Sequence, residues 1–353
     1  MTSSPNPATA SIVAQAPCRA DLAGGTIDLW PLYLFHPGAV TVNIAISIMT
    51  SCRITPAAGK SIHLKSVDTN REERFTDLDE LCRAPHYQHA LAARLVGFFR
   101  PEGGFRLETT SESPAGAGIA GSSALMIATT AALARFSGRK LSREEMRVLA
   151  QNVEAQLIRV PTGCQDYYPA LYGGVSGIHL DTGGIRREAL PVAPQDIEAR
   201  FLLVYTGAPR QSGINNWEVF KAHIDGDRRV VRNFEHMAQI SRAMHAAISH
   251  ADWAEVARLL EEEWKFRKSN YTGISTPLID QLVSVAAKHG GRAAKVCGAG
   301  GGGCVVFMVR EGAKAQVADA LRAHGAHLLP FRVARQGLVV SPARAPHAAG
   351  ESV

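Results

Sequence analysis

The six cysteines of this 353-residue chain (18, 52, 82, 164, 297 and 304) contain no C-x-x-C and show no paired spacing. That argues against a disulfide scaffold or a cysteine-built zinc module, and it suits a reduced, cytoplasmic setting. H-E-x-x-H is missing although there are thirteen histidines, and His86-x-x-His89 reads as part of a helix surface. G-x-x-x-x-G-K-[ST] does not occur, which removes a Walker-type phosphate loop. No apolar run is long enough for a membrane span, and the opening MTSSPNPATAS has neither a basic nor an apolar signal region. The charge excess is only 38 basic over 32 acidic residues and it is dispersed, so nucleic acid is not an expected partner while a small anionic substrate is. No internal repeat or heptad pattern stands out.

What the chain does have is glycine and local order. Residues 105–110 (FRLETT) alternate in polarity as a half-buried strand does. Residues 125–136, rich in Ala, Leu, Ile and Met, favour helix. Between them lies Ser113-Pro114-Ala115-Gly116-Ala117-Gly118-Ile119-Ala120-Gly121-Ser122-Ser123-Ala124. A strand, a glycine loop and a helix N-terminus together form an anion site, because unpaired N–H groups and the helix dipole point at the occupant. Gly116, Gly118 and Gly121 also satisfy G-x-G-x-x-G, but a dinucleotide site calls for a fully buried strand before it and an acid at the end of the next strand. Here the strand alternates, and Glu144 and Glu145 lie at a helix start. An ordinary serine-capped turn is the plain alternative.

Strands are expected at 12–16, 40–48, 52–55, 61–67, 175–180, 201–205, 293–296 and 304–309. A glycine-containing loop is expected to follow the first, running through Pro17, Arg19, Gly24, Gly25 and Asp28. Helices are expected at 87–99, at 278–289, and two or three within 216–268, the last capped by Asp252. Ser142-x-x-Glu145 reads as a capping box opening a helix to about Ile158. A composition break near residues 190–196 divides the chain into lobes 1–195 and 196–353. The first eleven or so residues, and those after about 341, are expected to be disordered. The mixed order makes the class α+β with two lobes.

Three segments in this order resemble the GHMP kinases, named for galactokinase, homoserine kinase, mevalonate kinase and phosphomevalonate kinase. They are Ala16 through Leu29 (APCRADLAGGTIDL), the glycine–serine loop, and Lys295 through Gly303 (KVCGAGGGG). Within the family the sugar kinases acting on an anomeric hydroxyl, of the heptose 7-phosphate type, are the nearer match, and fucose-type kinases share part of the pattern. That match rests on R-x-x-x-A-G-G-x-x-D at 19–28, on Gln165-Asp166-x-Tyr168-x-Ala170-x-Tyr172-Gly173-Gly174, and on Tyr205-Thr206-Gly207-x-x-Arg210-x-Ser212.

The resemblance implies an N-terminal domain like domain 2 of ribosomal protein S5 and a ferredoxin-like C-terminal domain. It implies an ATP- and Mg²⁺-dependent kinase for a sugar or sugar phosphate, with a homodimer open. Pro114, Gly116, Ala117, Gly118, Ile119, Ala120, Gly121, Ser122 and Ser123 would wrap the ATP phosphates. Ser122 and Glu154 would hold magnesium, although Ala120-Gly121 stands where serines are usual and leaves open which serine faces the ion. Asp166 would orient the attacking hydroxyl and accept its proton, with Arg19 holding that carboxylate ionised. Gly24, Gly25, Asp28, Gly173, Arg210, Ser212, Gly300 and Gly301 would serve the substrate. Basic residues such as Arg53, Lys60, Lys65 and Arg71 are as well explained by surface charge. A catalytically silent sugar- or nucleotide-binding regulator is the other function class, and intact Asp166, Arg19 and Ser122 speak against it. A nicotinamide enzyme rests on G-x-G-x-x-G alone.

Overall fold

The computed structural model describes residues 11–208 and 214–342. In chain order it contains β1 (Ile12–Ala23), β2 (Val40–Ala57), β3 (Ile62–Ser66), β4 (Arg71–Phe75), α1 (Leu78–Arg83), α2 (Ala90–Phe99), β5 (Gly104–Ser111), α3 (Gly121–Phe136), α4 (Arg143–Ile158), α5 (Tyr167–Tyr172), β6 (Val175–Asp181) and β7 (Gly184–Ala189). There follow α6 (Pro194–Arg200), β8 (Phe201–Tyr205), α7 (Ile214–Ile224), α8 (Arg228–Ser249), α9 (Trp253–Asn270), α10 (Pro277–Lys288), β9 (Gly291–Val296), β10 (Cys304–Val309), α11 (Lys314–Ala323), β11 (His327–Leu329) and β12 (Val339–Pro342).

The first sheet runs β12-β1-β2-β5-β3-β4. The early half of the long strand β2 also pairs with β6, which continues into β7, while its later half pairs with β5. The second sheet has the order β11-β8-β10-β9, antiparallel throughout, which is the split β-α-β arrangement of ferredoxin-like folds. Its two central strands, β8 and β10, read as nearly unbroken apolar runs because both faces are covered. Phe201, Leu203, Val306 and Met308 join the core of the first lobe. The alternate residues Leu202, Val204, Val305 and Phe307 join the core under α9, α10 and α11. The fold is therefore α+β; the division expected at 195/196 lies inside α6, the helix between β7 of the first sheet and β8 of the second.

Two strand readings need correction. Pro17 and Arg19 lie on β1 and not in a loop, since the strand continues to Ala23. Residues from Ala16 to Ala23 are buried on both faces, the charged Arg19 and Asp21 included, whereas Pro17 and two charges in the sequence suggest a loop. The segments 40–48 and 52–55 are one strand, because a register shift at Pro17/Cys18 in β1 absorbs the irregularity beside Met49. β4, β7, β11, β12, α1, α5, α6 and α11 were not foreseen. Most are short, polar or both. Arg210, Ser212 and the stretches 1–10 and 343–353 lie outside the described residues. Among the described residues no helix is long and apolar enough to cross a membrane.

Candidate active site

A cavity of about 480 Å³ opens between the glycine loop, the β1–β2 loop and the segment before α5. Each wall follows from local sequence. Gly116 and Gly118 take positive φ angles of 67° and 77°, which side chains resist, so the loop can turn tightly enough to present its backbone. Ala120 holds the left-handed conformation at the N-cap of α3 and offers no capping side chain. The first N–H groups of that helix are thus left for a ligand, the condition an anion site requires. A Cβ on Gly121 would come within 2.8 Å of Ser113, so this glycine lets the start of α3 close against the first residue of the loop.

Ser122 and Ser123 do not cap α3. Their hydroxyls donate to the two oxygens of Glu154 at 2.6 and 2.9 Å, and the Tyr167 hydroxyl donates to Glu154 Oε2 at 2.5 Å. Glu154 is positioned from far away: the Ser142/Glu145 capping box forms and sets the phase of α4, which buries Ala150, Val153 and Glu154 on one side. Burial pushes the Glu154 carboxyl up, and the hydroxyls oppose that only in part. A hard cation would reverse the shift. Ser122 and Glu154 side by side are an all-oxygen donor pair of the kind Mg²⁺ takes, so the residues present fit that ion.

β1 places Arg19 and Asp21 two residues apart, hence on one face. Arg19 is 2% exposed, and its Nε and Nη2 donate to Asp166 Oδ1 at 2.9 and 2.7 Å. Its Nη1 donates to the Gly118 carbonyl at 2.7 Å, and its backbone N–H to the Ile119 carbonyl at 2.9 Å. One side chain therefore fastens the glycine loop to the aspartate. Burial works against the charge of Arg19, but Asp166 and Asp21 more than compensate and raise its pKa. Asp166 stands at the N-cap of α5 without capping it, which leaves the carboxylate to Arg19 and to the cavity.

Asp28 is buried, and its Oδ2 accepts the Gln165 backbone N–H at 2.9 Å. A Cβ on Gly163 would sit 2.0 Å from that oxygen, so the glycine makes the carboxylate's room. Desolvation, joined by the charge of Asp166, raises the Asp28 pKa to about 7. The sign follows: the unfolded carboxyl is ionised above about pH 3.8 while the folded one keeps its proton to about 7. The native state thus binds more protons in that window and loses stability as pH rises through it. Asp28→Asn should match wild type near pH 4 and be more stable near pH 8, by up to a few kcal/mol. Thermal melts of the unliganded proteins across that range check this. A Tm difference independent of pH would refute it.

Behind these residues lies a charge network the sequence reading missed. Asp21 Oδ2 meets Lys295 Nζ at 2.5 Å, its Oδ1 takes the Gly298 N–H at 3.0 Å, and Arg19 lies 3.5 Å away. Glu263 pairs with Arg267 at 2.5 Å and approaches Lys295 at 4.0 Å. Arg267 in turn donates to the Gly25 carbonyl and to Thr26 Oγ1. The R-x-D step in β1 and the lysine opening the third glycine motif were the available signals. Gln165 was missed as well: its Oε1 is buried, makes no hydrogen bond, and belongs to a cavity-lining residue.

Of the residues expected from sequence, Arg19, Gly25, Asp28, Pro114, Gly116, Ala117, Gly118, Ala120, Gly121, Ser122, Ser123, Glu154 and Asp166 line the cavity. Ile119 is buried behind it. Gly24, Gly173, Gly300 and Gly301 do not line it. Gly24 packs against Val40, Gly173 against residues 334–337, Gly300 against Ile274, and Gly301 against Asn215 and Gly273. The third motif reaches the phosphate loop through Cys304, whose N–H donates to the Ala117 carbonyl at 2.7 Å.

Family profiles described as "GHMP kinases N terminal domain" and "GHMP kinases C terminal" match residues 87–174 and 244–327. The D-glycero-alpha-D-manno-heptose 7-phosphate kinase of Campylobacter jejuni is 26% identical over 93% of this chain and 98% of its own length. A solved D-glycero-D-manno-heptose 1-phosphate kinase from Bacteroides thetaiotaomicron superposes with a TM-score of 0.77 at 21% identity, covering 95% of this chain and all of its own. Lactococcus lactis galactokinase with galactose gives 0.77 at 20% identity, over 93% and 95%. Both structural likenesses speak to fold alone.

Proposed function

Because this chain belongs to the GHMP kinases, a family of phosphotransferases, we propose that it moves the γ-phosphoryl group of ATP to the anomeric hydroxyl of a sugar or sugar phosphate, of the heptose 7-phosphate kind. The observation that carries the reading is the Arg19–Asp166 pair, whose guanidinium also grips the glycine loop. A proton acceptor is thereby held in fixed relation to a phosphate cradle, which is most of what phosphoryl transfer asks of a protein.

Bound Mg·ATP supplies the transferable group and a cation that draws charge from its oxygens. The backbone of Gly116, Ala117, Gly118 and Gly121, with the uncapped start of α3, holds the phosphates. Ser122 and Glu154 hold Mg²⁺. Asp166 orients the acceptor hydroxyl and takes its proton as the new O–P bond forms and the bond to the departing ADP breaks. Arg19 holds the Asp166 carboxylate in position and offsets charge on the reacting oxygens. Asp28 and the free Gln165 Oε1 grip sugar hydroxyls.

ADP release with Mg·ATP tests the reading on heptose 7-phosphate, the neutral heptose, fucose, galactose, mevalonate and homoserine. Heptose 7-phosphate should give a kcat/KM at least tenfold above the rest, and Glu154→Gln should need about tenfold more Mg²⁺ for half-maximal rate. Turnover confined to neutral sugars would remove the substrate phosphate and keep the anomeric kinase. Turnover confined to mevalonate or homoserine would overturn the sugar reading.

A further inference from the structure

Apart from the cavity, one cluster of side chains has the composition of a metal site. His179 on β6, Glu188 on β7 and His245 on α8 bring one ligand atom each to within 4.8 Å of one another. His179 Nε2 lies 2.8 Å from Glu188 Oε2, and His245 Nε2 lies 3.3 Å from the same oxygen. The β6–β7 register pairs Gly177 with Glu188 and His179 with Arg186, so Glu188 and His179 are diagonal neighbours. The imidazoles meet edge to face with centroids 5.1 Å apart.

The cluster has room made for it. A Cβ on Gly177 would stand 2.6 Å from His245 Cδ2 and 3.1 Å from its Nε2, so a glycine in the strand admits the ring. That Nε2 is buried, and Glu188 Oε2 at 3.3 Å is outside good hydrogen-bond geometry for it. The three side chains are 21 to 39% exposed, which leaves water access to a fourth position. None of them lines the phosphoryl-transfer cavity.

We propose that His179, Glu188 and His245 bind a divalent transition ion of the zinc class, with water completing a four-coordinate shell. Two imidazoles and a carboxylate are a recurrent zinc donor set, whereas Mg²⁺ and Ca²⁺ take oxygen ligands. The ion would clasp the β6–β7 hairpin of the first sheet to α8. Arg186, 3.9 Å from Glu188, competes for the carboxylate, but it is well exposed and can turn into water.

The test uses full-length protein without a histidine tag, stripped with chelator and titrated with Co²⁺, then with Zn²⁺. Wild type should take one equivalent with the strong visible absorption of four-coordinate Co²⁺, be bleached by Zn²⁺, and melt several degrees higher with Zn²⁺. His245→Ala and Glu188→Gln should each weaken binding at least tenfold, while Asp166→Asn and Glu154→Gln should bind as wild type does. Arg186→Ala, a surface change that leaves folding intact, should tighten binding. No such spectrum in wild type, retention of binding in both ligand variants, or weakening in Arg186→Ala would each overturn the proposal.

Discussion

Asp166→Asn is expected to lower kcat about a thousandfold, the middle of the range for loss of a positioned general base. The amide keeps the shape and can still accept from Arg19, so the glycine loop should stay in place and the KM for ATP should move less than about threefold. Steady-state ADP release separates the two constants. A second readout follows from the site's electrostatics: the charge of Asp166 helps to hold the Asp28 pKa up near 7. Removing that charge should lower it, shifting the pH dependence of unliganded stability toward acid. A variant with kcat within threefold of wild type would dismiss Asp166 as the proton acceptor, whatever its stability.

Lys295→Met should produce the largest loss of stability, about 3–5 kcal/mol, because it leaves a buried carboxylate without its closest cation. Asp21 would retain Arg19 at 3.5 Å and the Gly298 N–H, and Glu263 would lose a neighbour at 4.0 Å. At about 1.4 °C per kcal/mol for a chain of this length, Tm should fall by about 4–7 °C. In wild type, burial pushes the Asp21 carboxyl up, but Lys295, Arg19 and Arg267 hold it below the usual carboxylate range. The native state then binds fewer protons than the unfolded one, so the pair stabilises above about pH 4 and fades only in stronger acid. Without Lys295 the native carboxyl binds its proton more tightly, so the deficit should be largest at neutral pH and shrink toward pH 4. Asp21→Asn/Lys295→Met should recover at least half of the loss. Additive losses in a double-mutant cycle would show that the two charges are not coupled.

The parts of this molecule legible in the sequence were those written in local chemistry. The capping box at Ser142 and Glu145, the Asp252 cap, and the apolar strands β8 and β10 are each set by a few adjacent residues. The glycine loop was legible because side chains resist the φ angles that Gly116 and Gly118 take, so glycines cluster there. β1 was only half legible, since Pro17 and the two charges Arg19 and Asp21 look like loop residues until their buried partners are known. Lys295 and Asp21 are 274 residues apart, so nothing local could pair them. Gly173, Gly300 and Gly301, expected at the substrate, lie outside the cavity lining and pack against other segments. A glycine required for close packing looks, in one sequence, the same as a glycine required by a ligand.

The return of the chain to its first sheet bears on how the protein is made. β12 pairs with β1 residue for residue from Ile12↔Pro342 to Gln15↔Val339, and Val333 bridges to Ile46. The strand that carries Arg19 is therefore finished on one edge by residues the ribosome adds more than 300 positions later. Until then a nascent chain shows an open strand edge, the kind that recruits wrong partners. A transcript or protease cut that removes the stretch after Gly325 would spare every residue that lines the cavity, yet leave that edge bare. Chaperones and degradation machinery would meet such fragments as unfinished sheets, although every catalytic group would be present.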